Sequence, residues 1–229
     1  MIVLSRIDSP VLRCALLLLS CLLLTACGFG RQISPVSIIA PEIRLEADTD
    51  WAEVDWAIQV QRPMADRMRD SERVLVRTAP SRLQPYPGTA WLDNLPDMVL
   101  TLTIQALQDS GRFQAVARAG GLRTRFTLAT ELRRFDAVDD GGDGLQVELV
   151  IQGTLIAQGT GRVLATRTFQ VNEPSRGKDI DPLVLAFERA MSRYFQELTG
   201  WILAEGAQAA EDDEDRRRDR RERRPSNAG

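Results

Sequence analysis

The chain contains no histidine. That absence removes the Ser-His-Asp and Cys-His nucleophile arrangements and every histidine-ligated metal site. Cysteine is nearly absent too: Cys14, Cys21 and Cys27 are the whole complement. No Gly-x-x-x-x-Gly-Lys phosphate loop and no dinucleotide-binding glycine pattern occurs. Gly141, Gly142 and Gly144 sit among Asp139, Asp140 and Asp143 as in a hairpin turn, and no bidentate glutamate follows at the spacing of a calcium loop. Charge of one sign is lacking as well. The chain has 29 Lys and Arg against 32 Asp and Glu, a net charge of -3, which gives no general attraction to nucleic acid. The sequence therefore reads as non-enzymatic, with no cofactor and no metal. Carboxylate-only hydrolysis is the enzymatic class that composition leaves standing, and no spacing selects an acid pair for it.

Long apolar runs are missing except near the start, where Cys14 to Leu24 is interrupted only by Ser20 and preceded by Arg6 and Arg13. This segment is shorter than the roughly 20 apolar residues of a membrane span and has the order of a signal peptide. It closes on Leu24-Thr25-Ala26-Cys27, which resembles the lipobox of bacterial lipoproteins. The expectation is a signal peptide over 1–26, recognised by the signal peptidase through Leu24, Thr25 and Ala26, and lipidation of Cys27. Cys14 and Cys21 leave with the signal, so no internal disulfide remains and stability must come from a core. Several acyl chains at about 0.8 kcal/mol per buried methylene make such an anchor effectively permanent. Gly28 stands where an aspartate would resemble an inner-membrane retention signal, which favours the outer membrane.

Residues 27–50, with Pro35 and Pro41, read as anchor and linker, with short strands available at 36–40 and 43–45. Val54, Trp56, Ile58 and Val60 alternate with polar or small residues as in a half-buried strand; Arg73 to Arg77 is a second strand, and 63–70 can turn as a short helix. Beyond a proline-rich loop, Pro80 to Gly88, Pro96 opens an amphipathic helix that Gly111 stops, and Phe113 to Ala117 is again extended. Three alternating strands follow, through Thr124 to Leu132, Leu145 to Leu155 and Val163 to Val171, joined by glycine turns as an antiparallel meander. Asp181-Pro182 starts a long helix whose stripe is Val184, Phe187, Met191, Phe195, Leu198 and Ile202. The fold expected is α+β: a two-layer sandwich of a mixed, mostly antiparallel sheet with two main helices packed on one face. The domain is placed at 51–205 and a charged, disordered tail at 206–229, although continuation of the helix into Arg-Asp-Arg-Arg-Glu-Arg stays open.

Aromatic residues are few, and they punctuate the loop before the first long helix at Tyr86 and Trp91. A tryptophan there is either core or an interface anchor. As an anchor, Trp91→Ala would weaken partner binding without unfolding the chain.

Arg73-Val74-Leu75-Val76-Arg77, Tyr86, Trp91, the helix after Pro96 and Asp109-Ser110-Gly111-Arg112-Phe113-Gln114-Ala115-Val116 resemble the ABC-type transport auxiliary lipoprotein family, which includes paraquat-inducible protein C. Leu132-Arg133-Arg134-Phe135-Asp136, and Ala186-Phe187 with Ala190 in the closing helix, are similar too. The sequence departs from many members in having no tyrosine between Ile33 and Leu45. The resemblance implies a lipid-anchored protein on the periplasmic face of the outer membrane. It would serve an ABC transporter and a mammalian-cell-entry-domain protein as a non-catalytic docking or end piece in lipid transport. The aromatic punctuation of the loop makes Tyr86 and Trp91 the expected contact residues. Association with further copies of the chain stays open. The alternative is a structural or assembly lipoprotein of another envelope machine.

Overall fold

The computed structural model describes residues 35–45 and 48–223. The signal peptide and the lipidation site, Leu24, Thr25, Ala26 and Cys27, lie outside the described residues, as do 224–229. In chain order the elements are β1 (Ser37–Ile39), β2 (Ala57–Val60), β3 (Met64–Ala65), β4 (Leu75–Ala79), β5 (Arg82–Pro85), β6 (Thr89–Trp91), α1 (Leu95–Asp109), β7 (Ala115–Arg118), β8 (Phe126–Val138), β9 (Gln146–Ala157), β10 (Arg162–Pro174) and α2 (Ile180–Glu222). The architecture is α+β, a curled mixed sheet with two helices. The helix α1 packs on β7 and β2, α2 packs on β10 and β9, and the two helices touch.

The antiparallel meander is present as β8-β9-β10, because alternating apolar residues with glycine-containing turns give each strand one buried face. A bulge in β8 between Leu132 and Arg134 resets the alternation. Phe126, Leu128, Thr130 and Leu132 are buried before it, Arg133 and Arg134 both reach solvent, and Phe135 and Ala137 are buried after it. Arg133 donates to Glu131 and to Gln152 on the outer surface beside the bulge.

The other edge of β8 differs from the expectation. It receives β2, β3 and β4 in succession, all parallel to it, opposite Phe126–Leu128, Glu131–Leu132 and Ala137–Val138. The segment β2 is buried at all four positions, since it lies between β7 and β8 with both faces covered, so alternation is lost in its interior. Its buried Gln59 donates to Thr127 Oγ1 at 3.0 Å and Gln158 Oε1 at 2.6 Å. The short helix expected at 63–70 is a strand and a turn, in which Asp66 Oδ1 accepts the Met68 and Arg69 N–H groups at 2.9 and 3.1 Å. The proline-rich loop contains β5, which pairs antiparallel with β4 and ends at Pro85 on a sheet edge, where no N–H is needed.

The domain is also longer at both ends than expected. Within the predicted linker, β1 pairs parallel with β6. The segment 206–222, placed in a disordered tail, continues α2. Gly206 and Ala209 are buried, and the later turns carry ion pairs at helical spacing, Arg216 to Asp213 at 2.6 Å and Arg223 to Asp219 at 2.8 Å.

A buried ion-pair cluster holds β4 to β8. Asp136 is fully buried; it accepts from Arg69 Nη2 at 2.7 Å and from Arg77 Nη2 at 2.8 Å and Nε at 3.1 Å. The Phe135 N–H also donates to its Oδ1 at 3.0 Å. Asp136→Ala takes the shared carboxylate from two guanidiniums, leaving the buried Arg69 with Asp66 alone, and is expected to cost about 3 kcal/mol of unfolding free energy. A smaller loss in urea denaturation would mean that water replaces the carboxylate.

At α2, a Cβ on Gly206 would stand 2.5 Å from Trp56 Cζ2 and 2.7 Å from Cη2. Alanine at a helical glycine normally stabilises by about 1 kcal/mol, but overpacking a buried ring costs about 1–3 kcal/mol. Gly206→Ala is therefore expected to lower the urea midpoint. At Gly200 the nearest atom, Trp51 Nε1, is 3.2 Å away on a half-buried ring, and Gly200→Ala should leave the midpoint unchanged or raise it. Equal behaviour of the two variants would argue against docking of the helix beyond residue 205.

Candidate interaction surface

Among the described residues, four of the seven large apolar side chains that stay in solvent lie around β1, while Met64, Leu122 and Val163 stand apart from it. Val36, Ile38 and Leu185 are 54%, 58% and 55% exposed, and Leu92, also exposed, follows a backbone bond from its N–H to the Ile39 carbonyl at 2.9 Å. Strand alternation explains Ile38: Ile39 turns into the core, so its neighbour turns out. Leu185 is the exposed neighbour of buried Ala186 on the first turns of α2. Between β1 and those turns runs a groove of about 430 Å³, walled by Ile38, Ile180, Val184 and Leu185. It adjoins a depression of about 670 Å³ bordered by Glu42, Arg44, Glu173, Glu188, Arg189 and Arg193.

The charged border is partly paired within itself. Glu173 accepts from Arg189 at 2.7 Å and Arg193 at 3.2 Å, and Glu188 accepts the Glu42 N–H at 3.1 Å. An apolar centre with a polar rim is the anatomy of a protein-binding patch. Among the described residues β1 pairs with β6 alone.

The two contact residues expected from sequence fall elsewhere. Tyr86 is half-buried, and its hydroxyl donates to the Lys178 carbonyl at 2.7 Å. Burial and the nearby Asp179 push its pKa up. Lys178 in turn donates to Asp139 at 2.8 Å, and that bond holds the Asp139 carboxyl below the usual carboxylate range. Tyr86 is thus part of a clamp joining the β5–β6 loop, the approach to α2 and the β8–β9 turn.

Trp91 corrects the anchor reading. It is only 1% exposed and lies in the core, edge-on to Phe187 at 5.1 Å and to Phe135 at 6.0 Å, while those two rings stack at 5.5 Å. Its burial follows from β6, whose inner end is covered by α2 through Phe187. The exposed residues Ile38 and Leu185 were missed because one sits in a stretch that reads as linker and the other adjoins a buried stripe. Trp91→Ala is accordingly expected to cost about 3–5 kcal/mol of stability, read as loss or collapse of the cooperative thermal melt. A native-like melt with weakened partner binding would restore the anchor reading.

No helix among the described residues is long and apolar enough to cross a membrane. A protein of Bradyrhizobium diazoefficiens, bll6063, is 26% identical over 149 residues, 64% of this chain and 39% of that protein, so the match spans well under half of the relative's length. The crystal structure of protein XCC0632 from Xanthomonas campestris is 34% identical, covers 76% of this chain and 99% of its own, and superposes with a TM-score of 0.73. A second solved structure, 14% identical with a TM-score of 0.58, covers 73% of this chain and 99% of its own and shares the fold. The family model for the ABC-type transport auxiliary lipoprotein component matches residues 38–199, from β1 well into α2, and the chain belongs to that family.

Proposed function

We propose that this protein is the outer-membrane lipoprotein of an envelope lipid-transport system, anchored through Cys27 with its domain on the periplasmic face. It docks a mammalian-cell-entry-domain protein that bridges toward an ABC transporter, and it performs no chemistry of its own. Family membership over residues 38–199 is the observation that carries this reading. The ATP-driven step then belongs to other subunits, and this chain needs only to bind.

The groove beside β1 gives that role a surface. Covering the exposed halves of Val36, Ile38 and Leu185 contributes about 1 kcal/mol each, a useful increment that still requires further contacts for a stable complex. The buried acid Asp136 is committed to Arg69 and Arg77, which fits a structural rather than a catalytic use.

A photo-crosslinking residue placed at Ile38 or Leu185 of the full-length protein in cells should yield an adduct with a mammalian-cell-entry-domain protein. The same residue at Val163, exposed on β10, should yield much less. Adducts with the components of a different envelope machine at Ile38 and Leu185, and none with a mammalian-cell-entry-domain protein, would overturn the assignment in favour of an assembly role.

A further inference from the structure

The last turns of α2 continue past the family-matched span, which ends at residue 199. Along the face turned to the sheet, Ile202, Gly206 and Ala209 are buried. The same spacing of three and four leads on to Asp213, Arg216 and Arg220. These three form one wall of an open cleft of about 740 Å³. Its other wall comes from the start of β8 and the β9–β10 turn, and carries Arg125 and Arg162.

Four arginines and a single carboxylate, Asp213, therefore line the same cleft. Arg216 takes that carboxylate at 2.6 Å, and Arg125 stands 3.8 Å from it while donating to the Ala210 carbonyl at 3.3 Å. Among the described residues no acid lies within ion-pair distance of Arg162 or Arg220. Of the other acids of this stretch, Asp219 pairs with Arg223, Glu211, Glu214 and Asp215 are exposed, and Asp212, also exposed, acts on Arg216 from outside the cleft lining. The whole chain carries a net charge of -3, so this cationic cleft is a local feature against the overall sign. Like charges held together without a counter-charge repel. Planar guanidiniums are suited to the paired oxygens of a phosphate.

We propose that this cleft binds a phosphate-ester anion, borne by a lipid headgroup or by a free phosphate compound. The site stands on its own geometry and not on the transport role. From Leu185 to Arg216 the helix rises by roughly 45 Å at about 1.5 Å per residue, so the cleft is separate from the groove beside β1. Asp213 is the internal competitor for the anion, and removing its charge strengthens binding.

The test uses full-length protein in nonionic detergent micelles doped with phosphatidic acid, with phosphate-free diacylglycerol, or undoped with inorganic phosphate added. Phosphatidic acid should bind saturably and diacylglycerol should not. Arg162→Gln with Arg220→Gln should weaken binding at least about tenfold, whereas Asp213→Asn should tighten it several-fold. Arg82→Gln with Arg133→Gln, the same charge change outside the cleft, should leave affinity unchanged. Much tighter binding of phosphatidic acid than of inorganic phosphate identifies the headgroup as the source, and equal affinities identify a free phosphate. Unchanged affinity in the cleft double variant, weaker binding by Asp213→Asn, or equal binding of diacylglycerol overturns the site. Should the double variant fail to fold, the direction of the Asp213→Asn effect decides alone.

Discussion

The long strand β8 is the constraint on which the rest of the domain depends. One edge pairs with β9 along nearly its whole length, and the other pairs with β2, β3 and β4 in order. Because all three run parallel to β8, they amount to one neighbouring strand broken twice. Pro63 lies in the first break, where a missing N–H interrupts a ladder. The turn built on Asp66 lies in the second. A broken partner needs an anchor to stay in register, and Asp136 supplies it by holding Arg69 from the break and Arg77 from β4.

The bulge at Arg133 makes that anchor possible. It is the change of phase after Leu132 that turns Phe135 toward Trp91 and Phe187. The same short stretch of β8 thus supplies the carboxylate that closes the sheet edge and the ring that joins β6 to α2. Both features lie in the Arg134-Phe135-Asp136 segment that carries the family resemblance. Their structural role accounts for a motif with no chemistry.

Legibility from sequence followed exposure to solvent. The meander and both helices have one dry and one wet face, so their periods of two and about 3.6 are visible in the residues. The buried strand β2 was legible as a strand but read as half-buried, because nothing in its residues shows that both faces are covered; the two-residue β3 has no such contrast and β5 ends in a proline, so these two were read as turn and loop. The ion-paired helix beyond residue 209 looked like a disordered tail because composition counts charges and not their spacing. At the candidate surface, Trp91 and Ile38 exchanged roles for a similar reason. Hydrophobicity marks both, but only the placement of β1 and β6 beside α2 decides which is covered.

The two ends of α2 are held by different physics. Up to Ala209 the helix lies on the sheet and is fixed by buried rings such as Phe187, Phe195 and Trp201. Beyond it the turns depend on exposed ion pairs, each worth about 0.3–0.5 kcal/mol, and on the bond from Arg125 to the Ala210 carbonyl. Four arginines lining one cleft with a single aspartate work against those small gains. An anion in the cleft reverses the sign of that balance, so binding there and order in the last turns of the helix are thermodynamically linked. The groove beside β1 lies at the other end, on turns fixed by the core, and its shape is independent of whether the cleft is filled.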